Sequence, residues 1–271
     1  MKKSGWVSRI YVALVMLFLY LPIFVLIFYS FNENKSRGVF TGFTLDWYKR
    51  LFQNETIITA FANTMILALA SSIIATIIGT IAAIGLNNLN KWLKTSMLGL
   101  TYVPVVNPEI ITGVSLAILF VYLRFELDFS TILFAHITFN IPYVILNVLP
   151  KFRQMDKFVY DAALDLGCPP SKAFFKVVIP EIMPGIVGGF LMSFTYSLDD
   201  FIISHFTTGP SFQTLPIVIY SMTRRRISPE INALSTLLFV AVLAVLIVYN
   251  IVDAKKASKK SKYKVQGGGF Y

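Results

Sequence analysis

Asp156-Lys157-Phe158-Val159-Tyr160-Asp161-Ala162-Ala163-Leu164-Asp165-Leu166-Gly167-Cys168-Pro169-Pro170-Ser171-Lys172-Ala173-Phe174-Phe175-Lys176-Val177-Val178-Ile179-Pro180 is a water-compatible stretch set between two apolar runs. From Phe158 to Leu166 the apolar residues recur at helical spacing, with Asp161 and Asp165 one turn apart on another face. Ala162 and Ala163 are small enough to let a partner's backbone come close. Gly167 stands where a left-handed C-terminal cap is wanted, and Pro169-Pro170 forbid continuation of the same helix. Ser171 is then positioned to cap a second short helix through Phe174-Phe175-Lys176, ended by Pro180. The spacing predicts two short helices at a fixed angle, the shape of a lever. The bland alternative is an ordinary amphipathic loop between two helices.

The rest of the chain says what such a lever would act on. Of 271 residues, 56% are hydrophobic and only 14% charged, far from the balance of soluble domains. The mean hydropathy of +0.68 agrees. That composition predicts an all-α polytopic membrane protein, with room for about six spans. The single cysteine, Cys168, excludes an internal disulfide and a multi-cysteine metal site. A net charge of +10 would suggest nucleic acid as partner for a soluble protein; here most of it falls at membrane boundaries, so none is expected.

Residues 1–9 form a basic N-terminal segment with Lys2, Lys3 and Arg9, and the first apolar run, Ile10–Phe31, carries no charge. It lacks the short apolar core and small-residue cleavage site of a signal peptide, so a retained helix is expected. A second span is expected over 57–86, rich in the small residues that let helices pack closely in lipid. The third, over 96–123, is interrupted by Pro104 and by Asn107-Pro108-Glu109. The fourth and fifth are expected over 131–149 and 182–203, flanking the lever, and the sixth over 231–252. A basic tail, 253–271, closes the chain. The permease region is thus read as 10–252. With six spans, sixteen Lys and Arg fall on the side of both termini and the lever, against eight on the other. Both termini and the lever are therefore expected in the cytoplasm.

Acids inside spans are costly and usually face a pathway or a partner. Glu109, Asp199 and Asp200 are the three candidates, Glu109 falling about 20 Å up its helix and near mid-membrane. Glu109 either lines a cavity or is satisfied by an internal basic or backbone partner. Asp199 and Asp200 point about 100° apart on a helix, so both cannot face one solute. One lines a pathway while the other pairs or reaches water, or both are solvated at a helix end. Tyr196 and Phe201 are candidate cation–π partners or plain packing residues. His136 and His205 are far apart in the chain and read as lone helical or loop histidines rather than a metal pair. Arg224-Arg225-Arg226 is a solvated run or a docking patch for an external protein. No phosphate-binding G-x-x-x-x-G-K-S/T is present, nor H-E-x-x-H, nor G-x-S-x-G. No catalytic residue and no metal site are predicted, so energy must enter from outside the chain.

Asp161-Ala162-Ala163, three residues, Gly167, nine residues and Val177-Val178-Ile179-Pro180 resemble the E-A-A, G, I-x-L-P loop of permeases of ATP-binding-cassette importers. The departures are Asp for Glu, Val for Ile and Ile for Leu. Ser197-Leu198-Asp199-Asp200-Phe201 with Thr208-Gly209-Pro210 is similar to permeases of the spermidine/putrescine class. So is Pro108-Glu109-Ile110-Ile111 with Gly113-Val114-Ser115-Leu116. The similarity runs from about Ile10 to Val252. It implies a non-enzymatic bacterial inner-membrane permease of the MetI-like type, with Asp161, Ala162, Ala163, Gly167, Ile179 and Pro180 as its coupling loop. The implied partners are a cytoplasmic ATPase dimer that uses the ATP, a second permease, an external substrate-binding protein and membrane lipid. No cofactor of its own is implied. The implied cargo is a polyamine, with iron, sulfate, thiamine and aminophosphonate as alternatives inside the family. An ion-coupled transporter should show an inverted repeat, and none is evident. An intramembrane enzyme would need a nucleophile–base pair, and none is identifiable.

Overall fold

The computed structural model describes residues 5–34, 39–225, 229–244 and 247. Residues 245–246 and 248–252 of the expected sixth span, the basic tail, Lys2, Lys3 and Arg226 lie outside them, as does the side chain of Arg225. The described chain is helical: α1 (Trp6–Ser30), α2 (Asp46–Gln53), α3 (Glu55–Asn88), α4 (Lys91–Val106), α5 (Glu109–Tyr122), α6 (Phe129–Gln154), α7 (Lys157–Asp165), α8 (Pro170–Ala173), α9 (Ile179–Asp199), α10 (Ile202–Thr207), α11 (Leu215–Arg225) and α12 (Pro229–Ala244). The described β structure is a single bridge between Asn32 and Phe43.

Two compact units divide the chain, 1–55 with 221–271 and 56–220. In the first, α1 is a 25-residue apolar helix that ends against a small polar hub. Asn32 binds Val39 O through Nδ2 at 2.9 Å and accepts from Thr41 N at 3.0 Å, while its own carbonyl accepts from Trp47 Nε1 at 2.7 Å. The hub fastens the end of α1 to the amphipathic α2, burying Trp47 and Leu51. Buried backbone groups outside regular structure must find partners, and Asn32 supplies them.

In the second unit α3, α6 and α9 form the core. Their contacts step by one helical turn. Gly79 of α3 and Gly189 of α9 both meet Val144 of α6, and Gly185 meets Asn147 O and Val148 Cα. A methyl carbon at Gly189 would lie 3.1 Å from Val144 Cα, so backbone faces backbone there. Below, Ala83, Leu86, Val148, Leu149, Phe152, Val178 and Ile182 close an apolar plug. Helices in lipid gain nothing from hydrophobic exclusion between them, so close van der Waals approach through small residues carries the packing.

The expected third span is two helices, α4 and α5, bent by 99° at Asn107-Pro108. Asn107 is extended, as the residue before proline should be, and ends α4; Pro108 starts α5. The proline therefore turns the chain rather than merely interrupting a straight span. α5 is held by α10, where a methyl carbon at Gly113 would lie 3.3 Å from Ile203 Cα, and by the cluster Phe120, Ala135, Phe139 and Ile203. Gly209 lies directly against the Leu127 carbonyl, which fixes the Thr208-Gly209-Pro210 turn beside the start of α6.

Gly189→Val should cost about 1–3 kcal/mol through overpacking, and lower the melting temperature of the detergent-purified protein. Gly99→Val, at an open position on α4, should leave it within a degree or so. Equal melting temperatures for both variants would refute the backbone-contact account.

Candidate translocation site and lever

α5, α6, α9 and α10 bring the acids expected from the sequence into one neighbourhood. Glu109 stands in the first turn of α5, just past the 99° bend, where a carboxylate also suits the helix dipole. Its carboxylate is close enough to Asp199 and Asp200 to be repelled by both. Asp199 is the last residue of α9, and Asp200 follows it with extended backbone, outside the helix. The expected span to residue 203 thus ends at the acid pair, because Asp200 turns the chain into α10.

The two neighbouring aspartates have different surroundings. The side chain of Asp200 is buried, 4% exposed. Its carboxylate accepts from Ser204 N at 2.7 Å and Ile203 N at 3.3 Å, satisfying orphan donors at the start of α10. His136 Nε2 lies 3.5 Å from the same carboxylate and 3.0 Å from Ser204 Oγ. On its other side, His136 Nδ1 is 2.6 Å from Ser197 Oγ, which is 2.9 Å from Ser71 Oγ. This chain of buried polar groups ties α3, α6, α9 and α10 together. His136 is therefore not a lone histidine, and Asp200 is occupied by the protein itself.

Asp199 and Glu109 are exposed, and the ion pairs among the described residues, Lys49–Asp46 and His136–Asp200, include neither. The reading in which a basic side chain satisfies Glu109 finds no such side chain there. Tyr196 stacks on Tyr143 with ring centroids 4.3 Å apart, and Tyr143 interacts electrostatically with Glu109. Tyr143 was not among the sequence candidates; only the α6–α9 pairing reveals it. Phe201 packs instead with His205 and Tyr220, at 5.3 and 4.5 Å. Chemically, two carboxylates without a basic partner among the described residues, beside a tyrosine stack, favour a cation and repel an anion. Among the described residues no group of three metal-binding side chains occurs.

The lever stretch has its own geometry. Asp156 caps α7 by accepting from Phe158 N at 3.0 Å. At the other end Gly167 adopts φ 79°, with Cys168 N donating to Ala163 O and Gly167 N to Leu164 O. This is the two-bond left-handed termination that glycine makes without strain. The second half differs from expectation. Ser171 lies inside α8, which starts at Pro170 without a side-chain cap, and Pro180 does not end the helix. The chain instead passes through a wide π-type turn, Phe174–Val178, into α9. Proline lacks an N–H and its ring presses on the carbonyl four residues back; widening that turn accommodates it. Phe158, Leu166 and Phe175 are exposed, as are Asp161 and Ala162, while Ala163 is half-buried. Tyr160, Phe174, Val178 and Ile179 join the core plug, so the lever is packed onto the α6–α9 pair.

Residues 75–256 match the family of binding-protein-dependent transport system inner membrane components. The chain is 35% identical over 254 residues to the spermidine/putrescine transport system permease protein PotC of Escherichia coli K12, covering 94% of each. It is 38% identical over 250 residues to that strain's putrescine transport system permease protein PotI, covering 89% of this chain and 88% of the relative. The fold matches a chain of a bacterial ABC transporter that imports the acidic polysaccharide alginate, with a TM-score of 0.68 at 14% identity, covering 92% of this chain and 94% of that one. The all-helical membrane fold, the loop motif and these relatives agree: the chain belongs to the family of binding-protein-dependent transport system inner membrane components, the permease subunits of ABC importers.

Proposed function

We propose that the chain forms half of the pathway of an ATP-driven polyamine importer. The observation that carries this reading is the pair of unpaired acids, Glu109 and Asp199, beside the Tyr143–Tyr196 stack. A polyamine ammonium 4 Å from one carboxylate gains about 1 kcal/mol in water and about 4 kcal/mol at an effective dielectric of 20. Stacked tyrosines add about 0.5–2 kcal/mol of cation–π attraction. Those magnitudes attract a cation without trapping it, which suits a pathway rather than a storage site. The PotC and PotI relatives, named for spermidine and putrescine transport, support the same cargo. Sulfate or phosphonate would meet repulsion at these acids. Within this reading Asp200 supports the site from behind and touches no solute.

The lever couples this site to a cytoplasmic ATPase dimer. Six spans, with both termini and α7 in the cytoplasm, put the exposed apolar side chains Phe158, Leu166 and Phe175 where an ATPase groove would receive them. A second permease, a paralogue, completes the pore, and an external binding protein delivers the cargo. The chain binds no cofactor itself. Closure of the ATPases pushes α7, α9 follows as a rigid body, and Asp199 and Glu109 change from outward-facing to inward-facing. The Pro180/Pro184 region is the joint.

Two experiments separate the two halves of this reading. In liposomes carrying the assembled transporter, Asp199→Asn with Glu109→Gln should lower labelled spermidine or putrescine uptake by about tenfold, with the ATPase still bound. Unchanged uptake removes both acids from the pathway. Gly167→Pro forces the wrong φ and should release the ATPase in co-purification, whereas Gly167→Ala, costing about 1–2 kcal/mol in the left-handed region, should retain part of it. An intact complex with Gly167→Pro would end the lever proposal.

A further inference from the structure

The α3/α6/α9 seam holds polar groups that neither the acid site nor the lever uses. Asn140 is fully buried, and both its amide nitrogen and its amide oxygen lack a protein partner. Ser193 is also fully buried, with an unpartnered hydroxyl. Their relative position follows from the contacts on either side. His136 meets Ser197, Val144 meets Gly189, and Val148 meets Gly185. Each step moves one turn along α6 and one turn back along α9, so Asn140 and Ser193 fall opposite one another. On α3, Ser71 meets Ser197 and Gly79 meets Val144. The same stepping puts Ala75, which is fully buried and small, at the level of Asn140.

A buried polar atom left unpaired costs about 1–3 kcal/mol, and an amide has a donor and an acceptor to satisfy. Those atoms persist in native proteins because something pairs with them. The guest at this level must both accept, from the Asn140 N–H, and donate, to its carbonyl oxygen. A metal cation only accepts electron pairs and leaves the amide donor facing it. A water molecule satisfies both, needs two to four polar partners and is the usual occupant of such sites.

We propose that Asn140 and Ser193 form a buried hydration site, binding one or two waters between α6 and α9 one turn from the His136–Asp200 pair. The waters extend the hydrogen-bonded chain from Asp200 through His136 and Ser197 into the middle of the seam. The seam is thereby dry and apolar at its Val148–Ile182 end and wet at its His136 end. This inference does not depend on which solute is carried.

Cryo-electron microscopy of the assembled transporter in lipid nanodiscs, at a resolution that shows ordered water, tests it directly. A density peak within hydrogen-bond distance of the Asn140 amide and Ser193 Oγ is expected, and it should vanish in Asn140→Leu. A direct Asn140–Ser193 hydrogen bond with no peak between them overturns the proposal. A melting-temperature cycle gives a second readout. If both residues share the water, Asn140→Leu with Ser193→Ala should shift the melting temperature no more than the larger single change. Additive shifts overturn the sharing. Should the variants fail to assemble, the density in the wild-type protein decides alone.

Discussion

The closeness of α6 and α9 is the constraint on which the rest depends. Where Gly185 and Gly189 lie against Val148 and Val144, the two backbones touch, and no larger side chain fits without displacing a helix. In water such a pair would gain from excluding solvent; in lipid it gains only from contact and from mutual satisfaction of polar groups. Both terms occur along this one interface, contact at the glycine end and hydrogen bonds at the histidine end. The 21 residues of α9 span about 30 Å at 1.5 Å each, with the lever's wide turn at one end and Asp199 at the other. Because the helix is clamped from Gly185 to Ser197, motion passed on beyond Pro184 cannot be absorbed by local bending over that stretch.

The same clamp sorts the acids. Asp199 and Asp200 are neighbours in sequence, yet one faces outward and the other is consumed by a helix start and an imidazole. Deleting Asp200 would expose donors of α10 and leave His136 without its carboxylate, a structural injury that would also reduce transport. Loss of transport on its own is therefore weak evidence for solute contact at that position. The distinction lies in whether assembly and melting temperature fall with it.

Local signals were readable in the chain, and signals formed between distant residues were not. Gly167 could be placed in a left-handed cap because the glycine and the prolines that follow it are adjacent. The membrane class followed from composition, and the acids stood out because charges in apolar runs are rare. His136 read as a lone histidine because its partners Ser197 and Ser204 lie 61 and 68 residues away. Tyr143 was hidden for the same reason, since a tyrosine in an apolar helix has no pattern of its own. Pro108 announced a break, but nothing local announced that the 99° turn it makes would be braced by packing of α5 against α10. Pro180 was misread as a terminator because a proline that follows a widened turn looks, letter by letter, like one that ends a helix.

That widened turn has a geometric consequence. An added residue within an otherwise regular helix advances the azimuth of everything beyond it by about 100°. The direction in which α8 leaves the bundle is therefore offset from the face of α9 that bears Tyr196 and Asp199. A chain of this kind could re-aim its α7–α8 arm by gaining or losing one amino acid between Phe174 and Val178, without altering Tyr196 or Asp199. The two ends are thus separately adjustable along one continuous rod.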